Sequence, residues 1–173
     1  MVASYFEKRL VMLALLGAIM AGNSCTLKNA DMRGAQEYEG QLVIYNKKNN
    51  DGTYPNINCT LPFVTSTIDF QNNSQGCVND EAYAFKLENV PSATFFTFSD
   101  SPSCSESGGF YYRFKTIKRP TTMELPMDIE EAGQKAIGSV VTPGVLLIAS
   151  STTGQVGGKL SCVKIERSAV PSP

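Results

Sequence analysis

The stretch between Gly76 and Asp100 constrains the fold more than any other part of this chain, because two amphipathic segments lie on either side of a turn. In the first segment the two alternating sets of residues are Tyr83, Phe85 and Leu87, then Ala84, Lys86 and Glu88. In the second segment they are Thr94, Phe96 and Phe98, then Phe95, Thr97 and Ser99. Pro91, between the segments, fixes its own φ angle and disfavours helix at Val90. A period of two residues is typical of half-buried strands, so the stretch predicts a β-hairpin or a sheet corner.

Short alternating segments recur along the rest of the chain, with almost no helical periodicity. The further predicted strands are 41–45, 57–63, 67–70, 110–117, 122–125, 145–149 and 160–167. Only residues 128–137 predict a helix, with Asp128 as its N-terminal cap. Strands followed by polar, glycine-containing loops favour an all-β fold, namely a two-sheet Greek-key sandwich with at most one short helix. An immunoglobulin-like sandwich has the same pattern, so the exact topology stays open.

Four motifs occur in a fixed order within this region. They are Cys77-Val78-Asn79-Asp80-Glu81-Ala82, Leu87-Glu88-Asn89-Val90-Pro91, Asp100-Ser101-Pro102-Ser103 and Gly157-Gly158-Lys159-Leu160-Ser161. The set resembles the motifs of small secreted bacterial proteins of βγ-crystallin-like type, over about residues 42–167. The resemblance implies a βγ-crystallin-like Greek-key fold, whereas a fold alone does not imply a function.

The N-terminal residues 1–24 predict a secretory signal peptide. A small charged patch that includes Lys8 and Arg9 is followed by an apolar run of 12 residues, 10–21, and then by small residues. Such a run is too short to span a bilayer comfortably. We therefore predict an exported protein with a polar tether at residues 25–40, a single β-sandwich domain at 41–168 and a flexible tail at 169–173.

Two outcomes are open for Cys25, the first residue after the predicted signal peptide. Ser24 suits the position before a lipidated cysteine, whereas Gly22 and Asn23 depart from the usual lipoprotein pattern. The chain has five cysteines, and lipidation of Cys25 would leave an even four for disulfides in an oxidising compartment. The alternative is simple secretion with one spare thiol, after cleavage behind Ala21 or Ser24. The predicted location is accordingly periplasmic, anchored to the outer membrane, or extracellular, and only a lipid on Cys25 would attach the protein to a membrane.

The four remaining cysteines predict two disulfides rather than a zinc site, because their spacing lacks two close pairs. We predict that Cys59 pairs with Cys77, which would fix the loop before the central strands. We also predict that Cys104 pairs with Cys162, because both positions depart from the pattern of the family that the chain resembles. Four cysteines allow about three connectivities, and the sequence does not exclude the other two.

The chain contains no histidine, which removes the commonest general base and the commonest metal ligand. Paired carboxylates can also support acid-base chemistry, but Asp80-Glu81 and Glu130-Glu131 are adjacent pairs, and neighbours on a strand point to opposite faces. We therefore predict that the protein is not an enzyme and has no catalytic residues. The net charge of −1 offers no basic field for nucleic acid.

Calcium is the one cofactor that the resemblance brings in, because βγ-crystallin domains often bind it through an N/D-N/D-x-x-S/T-S motif. Asn79 and Asp80 match the first two positions, whereas Tyr83 and Ala84 replace the hydroxyl residues. Calcium takes about six to eight oxygen ligands, so the resemblance implies a weak site at Asn79 and Asp80, or none. The alternative is that these two side chains cap the start of the strand through bonds to the backbone.

With catalysis disfavoured, we predict an exported, disulfide-stapled β-sandwich that binds another protein, as an inhibitor or immunity protein against a toxin or hydrolase. Rigid sheets position loops at low entropic cost, which suits recognition. The predicted contact residues lie in or beside loops and are Asn49, Tyr54, Ser105 and Tyr111. Two other hypotheses stay open: a calcium-binding, crystallin-like structural protein of the envelope, and a secreted effector or toxin.

Overall fold

The computed structural model describes residues 40–72 and 74–168. Within these residues lie ten strands, one α-helix and a short 3-10 helix at Ser74–Gly76. The strands are β1 (Gln41–Tyr45), β2 (Ile57–Pro62), β3 (Ser66–Asp69), β4 (Ala84–Glu88), β5 (Thr94–Ser99), β6 (Phe110–Thr116), β7 (Met127–Asp128), β8 (Val140–Thr142), β9 (Val145–Thr152) and β10 (Cys162–Arg167), and the helix α1 is Ile129–Gly133. The predicted signal peptide, Cys25, the predicted tail and all of the predicted tether except Gly40 lie outside the described residues. None of the described helices is long and apolar enough to cross a membrane.

The strands form two antiparallel sheets, which confirms the predicted all-β sandwich. The four-stranded sheet has the order β2-β1-β4-β7, and the six-stranded sheet has the order β3-β10-β5-β6-β9-β8. Strands β5, β6, β9 and β10 lie in the spatial order β10-β5-β6-β9, in which the last strand returns beside the first, as in a Greek key.

The stretch between Gly76 and Asp100 forms a sheet corner and not a hairpin. Strand β4 belongs to the four-stranded sheet and β5 to the six-stranded sheet, so residues 89–93 carry the chain from one layer to the other. Asn89 and Ala93 have φ angles of 61° and 58°, which lets five residues reverse direction around Pro91. Val90 is fully buried and pairs with Thr121. This pair holds the corner against the segment that contains Thr121.

The core lies between the sheets and is centred on four phenylalanines. Phe85 comes from β4, while Phe96, Phe98 and Phe114 come from β5 and β6, and all four are fully buried. Their ring centroids are 5.1–5.8 Å apart. Fully burying such a side chain contributes roughly 1.5–3 kcal/mol. The predicted alternation in β5 and β6 therefore identified core positions correctly.

The structure departs from the predicted elements in several places. The predicted strand at 122–125 is wrong, because Met123 makes one backbone bond to Leu87 and the segment, bounded by Pro120 and Pro126, then leaves the sheet. Neither strand β7 nor strand β8 was predicted. The helix is shorter than the predicted 128–137, although Asp128 is its N-terminal cap as expected, accepting from the backbone N–H groups of Glu130 and Glu131.

Candidate functional site

Four loops meet at one end of the sandwich, at residues 46–56, 70–83, 100–109 and 153–161, and we name this region the loop end. Backbone bonds join them to one another and to the strands. Gly158 donates to the carbonyl of Ala82 over 3.0 Å, and Tyr83 donates to that of Tyr45 over 2.8 Å. Ser161 donates to the carbonyl of Ser99 over 3.0 Å. Both sheets therefore contribute loops to one continuous surface.

Both disulfides lie at the loop end. Cys59 pairs with Cys77, and Cys104 pairs with Cys162, so the predicted connectivity is confirmed. The first bond ties loop 70–83 to β2, and the second ties loop 100–109 to the start of β10. Each cross-link restricts the unfolded chain and holds a long loop against a strand in the folded state.

Asn58 adds a second attachment for loop 70–83. Its side-chain Nδ2 donates to the carbonyl of Val78 over 3.1 Å, while its Oδ1 accepts from the N–H of Val78 over 2.9 Å. The amide side chain thus forms the two bonds that a neighbouring strand would form. Strand β2 is a terminal strand of its sheet, so the loop also protects an otherwise open edge.

Loop 100–109 is organised by hydroxyl groups and by Asp100. The Ser105 Oγ lies 2.8 Å from Ser101 Oγ and 2.7 Å from Ser107 Oγ, and the carboxylate of Asp100 accepts from the N–H of Gly109. A Cβ at Gly108 or Gly109 would overlap that carboxylate. Ser105, a predicted contact residue, is therefore half-buried and engaged within its own loop.

Loop 46–56 contains two predicted contact residues, of which one is exposed and the other is half-buried. Asn49 is exposed. Tyr54 is half-buried, and its hydroxyl donates to Oδ2 of Asp128 over 2.9 Å. Burial, followed by this bond and the negative charge of Asp128, raises the pKa of Tyr54. Tyr54 thus attaches the loop to the cap of α1. Asp51 accepts bonds from both the hydroxyl and the backbone of Thr53, which lower the pKa of Asp51.

Tyr111 lies in the predicted strand but is buried, which a contact residue should not be. It lies within β6, directly opposite Ser99 of β5, and only 8% of its surface is exposed. Its cross-strand neighbours are Ser99 and Ser151, and its low exposure shows that a residue alternating with the core-facing Phe110 and Tyr112 is not necessarily exposed. Little of Tyr111 is free to touch a partner. Of the four predicted contact residues, Asn49 is the one that the structure leaves exposed.

Asn79 and Asp80 lie in loop 70–83. The Asp80 carboxylate is 3.8 Å from the ammonium group of Lys159, and Asn79 Oδ1 is buried without a hydrogen-bond partner among the described residues. Within 40–72 and 74–168, no three Asp, Glu, Cys or His side chains come together as a metal site. The calcium site therefore stays a prediction.

A groove elsewhere on the molecule was missed by sequence reasoning. Its volume is about 510 Å³, and we name it the edge groove because it lies where β7 and β8, the terminal strands on one side of the two sheets, face each other. It is lined by Lys118, residues 122–127, Glu131 and residues 141–143. Leu125 on its rim is 77% exposed. No local sequence signal identifies this groove, because separate segments of the chain form its walls.

Comparison with models of protein families, with curated proteins and with solved structures found no match to this chain. The βγ-crystallin-like resemblance is carried by its four motifs alone and stays a prediction.

Proposed function

We propose that this protein is an exported binding module that engages another protein through the loop end. The observation that carries the proposal is that both disulfides hold loops of this one surface. Loops that are fixed before binding lose little conformational entropy when a partner docks. The bonds of Asn58, Asp100 and Tyr54 restrict the same loops further.

The partner that best fits such a surface is an enzyme, either a toxin or a hydrolase, which the module would inhibit. Preorganised loops on a rigid scaffold are common in tight enzyme inhibitors, whose interface backbone moves little on binding. The exposed tips of two loops, at Asn49 and Glu106, would supply direct contacts. Inhibition follows when these tips block access to the active site of the partner.

Export is part of the proposal and is supported by the disulfides. Disulfide bonds form and persist in oxidising compartments, such as the periplasm or the exterior of the cell. With the predicted signal peptide, this favours a periplasmic or extracellular location, or attachment to the outer membrane if Cys25 is acylated.

The test has two stages. The exported protein is first used to isolate partners and to assay hydrolases from its own host and from competitors. Direct binding is then measured for Asn49→Arg and Glu106→Arg, with Arg119→Glu as the control, because Arg119 is exposed in the loop that follows β6. We expect the two loop variants to weaken binding at least about tenfold and the control to leave it unchanged. A protein that retains no partner and inhibits no hydrolase would contradict the proposal, as would equal losses in all three variants.

A further inference from the structure

The edge groove has an apolar floor and an apolar projection beside it. Met123 is 4% exposed and packs in the core, and Met127 and Val141 are partly buried against the same core. Leu125, in contrast, is 77% exposed on the rim. Isolated apolar residues on a surface are ordinary, but this leucine stands beside a groove whose lining combines apolar with polar and charged residues.

The groove also carries one unpaired charge of each sign. Lys118 and Glu124 both line it and are exposed. Among the described residues neither the ammonium group nor the carboxylate has an ion-pair partner, whereas Glu131 is paired with Lys135 over 3.2 Å. A partner that fits this groove must therefore supply an apolar side chain, a carboxylate and a cation.

A second copy of this chain supplies all three. We propose that the protein forms a twofold symmetric dimer in which Leu125 of each copy enters the edge groove of the other, and Lys118 of each copy pairs with Glu124 of the other. In such an interface the same patch lies on both subunits. Each projecting side chain must therefore enter the cavity of the other subunit, and each charge must face the opposite charge of the other subunit. The edge groove carries a cavity, an exposed apolar side chain and one unpaired charge of each sign.

The groove lies between two terminal strands. Met127 belongs to β7 and residues 141–142 belong to β8, and each strand has a hydrogen-bonded neighbour on one side alone. These strands have only two and three residues, and such short edges offer little backbone for pairing, so a partner would be held here by side-chain contacts. A dimer would cover both strands of both copies.

The first test compares two exposed apolar residues. The protein purified from expression of the full chain is studied by sedimentation equilibrium over a wide concentration range. We expect a reversible dimer whose dissociation constant rises at least about tenfold in Leu125→Asp. The matched control is Ile57→Asp, because Ile57 is 56% exposed at the start of β2, a terminal strand on the opposite side of its sheet. We expect this control to dimerise like the unmodified protein.

The second test uses charge reversal, which a nonspecific loss of stability cannot imitate. Lys118→Glu and Glu124→Lys should each weaken the dimer. The contact between residues 118 and 124 occurs twice in a twofold dimer, and each variant turns both contacts into pairs of like charge. An equal mixture of the two variants should form a heterodimer, and the double variant should dimerise again, because both restore opposite charges.

Three results would overturn the proposal: an unmodified protein that stays monomeric up to roughly millimolar concentration, a dimer that Leu125→Asp leaves intact, and charge reversals that do not rescue each other. Asn49→Arg and Glu106→Arg separate this proposal from the proposed function, because they should leave the dimer unchanged.

Discussion

At Gly133, the addition of one methyl group should strongly lower the stability of the protein. In a helix, glycine to alanine is ordinarily stabilising by up to about 1 kcal/mol. Here, a Cβ would overlap the ring of Tyr112, which is fully buried and hydrogen-bonded to Thr152 over 2.7 Å. Because this ring has nowhere to move, we expect Gly133→Ala to lower the free energy of unfolding by about 1–3 kcal/mol, measured by denaturant titration.

Gly138 provides the control, because a side chain at this position would strain the backbone conformation without overlapping any neighbouring atom. Its φ angle is 85°, and no atom lies close to the position of a Cβ. Asparagine tolerates such an angle better than alanine does. Gly138→Asn should therefore be milder than Gly138→Ala, whereas Gly133→Asn should be no milder than Gly133→Ala. An unchanged or raised stability in Gly133→Ala would contradict the packing around Tyr112.

The raised pKa of Tyr54 predicts that the protein becomes less stable at alkaline pH. The folded state raises the pKa of Tyr54 above its ordinary value of 10.0, chiefly through burial and then through the bond to Asp128. Burial also raises the pKa of Tyr112. Below pH about 10, tyrosine is protonated in both states, so this contribution to stability is complete. As the pH rises further, the unfolded chain loses protons first, and the free energy of unfolding should fall.

The measurement is a series of denaturant titrations at increasing pH, compared between the protein and Tyr54→Phe. The phenylalanine variant should show a shallower fall, because one raised pKa has been removed. The chain has no tryptophan, so the ultraviolet absorbance of tyrosinate reports the titration directly. A parallel fall in both proteins would assign the alkaline loss to groups other than Tyr54.

Asp80 predicts the response to calcium. Its carboxylate faces the ammonium group of Lys159 at 3.8 Å, and the nearby Asn79 offers one amide oxygen, far fewer than the roughly six to eight oxygens that calcium takes. We expect added calcium to leave the melting temperature of the protein unchanged. A rise that disappears in Asp80→Asn and persists in Glu81→Gln, at the adjacent exposed carboxylate, would instead establish the calcium site.

At the scale of elements, prediction succeeded where local alternation coincides with burial. Strand β1 has the predicted bounds, and the buried faces of β5 and β6 are the predicted ones. It failed at β8, whose three residues form a strand through pairing with β9 and not through their own pattern. Residues 122–125 meet β4 through a single backbone–backbone hydrogen bond, from Met123 to Leu87, which does not make a strand. Non-local pairing, which one short segment does not reveal, decided these cases.

The two disulfides should contribute unequally to stability. The Cys59–Cys77 bond joins residues 18 apart, and the Cys104–Cys162 bond joins residues 58 apart. In the chain-entropy model, the first stabilises by about 3 kcal/mol and the second by about 4 kcal/mol. We expect Cys104→Ser with Cys162→Ser to lower the free energy of unfolding more than Cys59→Ser with Cys77→Ser. Denaturant titration of the two double variants measures the difference, and the reverse order would show that local packing outweighs loop closure.

At the scale of the whole molecule, the two surfaces differ in how far a sequence can reveal them. The cysteines and polar loops predicted loops held by disulfides, whereas the meeting of both disulfides at one end of the sandwich depends on the sheet topology. The contact residues within the loop end were harder to predict, because burial of Tyr111 and the bond of Tyr54 to Asp128 depend on neighbours that are distant in the chain. The edge groove is built from walls at Lys118, 122–127 and 141–143, and folding alone brings them together.

The loop end and the edge groove share no residue, which predicts that their variants act independently. In solution, Leu125→Asp should leave the affinity of one loop end for its partner unchanged within about twofold, because additivity holds for separate sites. On a densely immobilised partner the same variant should dissociate at least about tenfold faster, because a dimer binds through two loop ends and a monomer through one. Asn49→Arg should weaken both measurements. If Leu125→Asp weakened binding in solution as much as Asn49→Arg does, both surfaces would contribute to partner binding, and their independence would be contradicted.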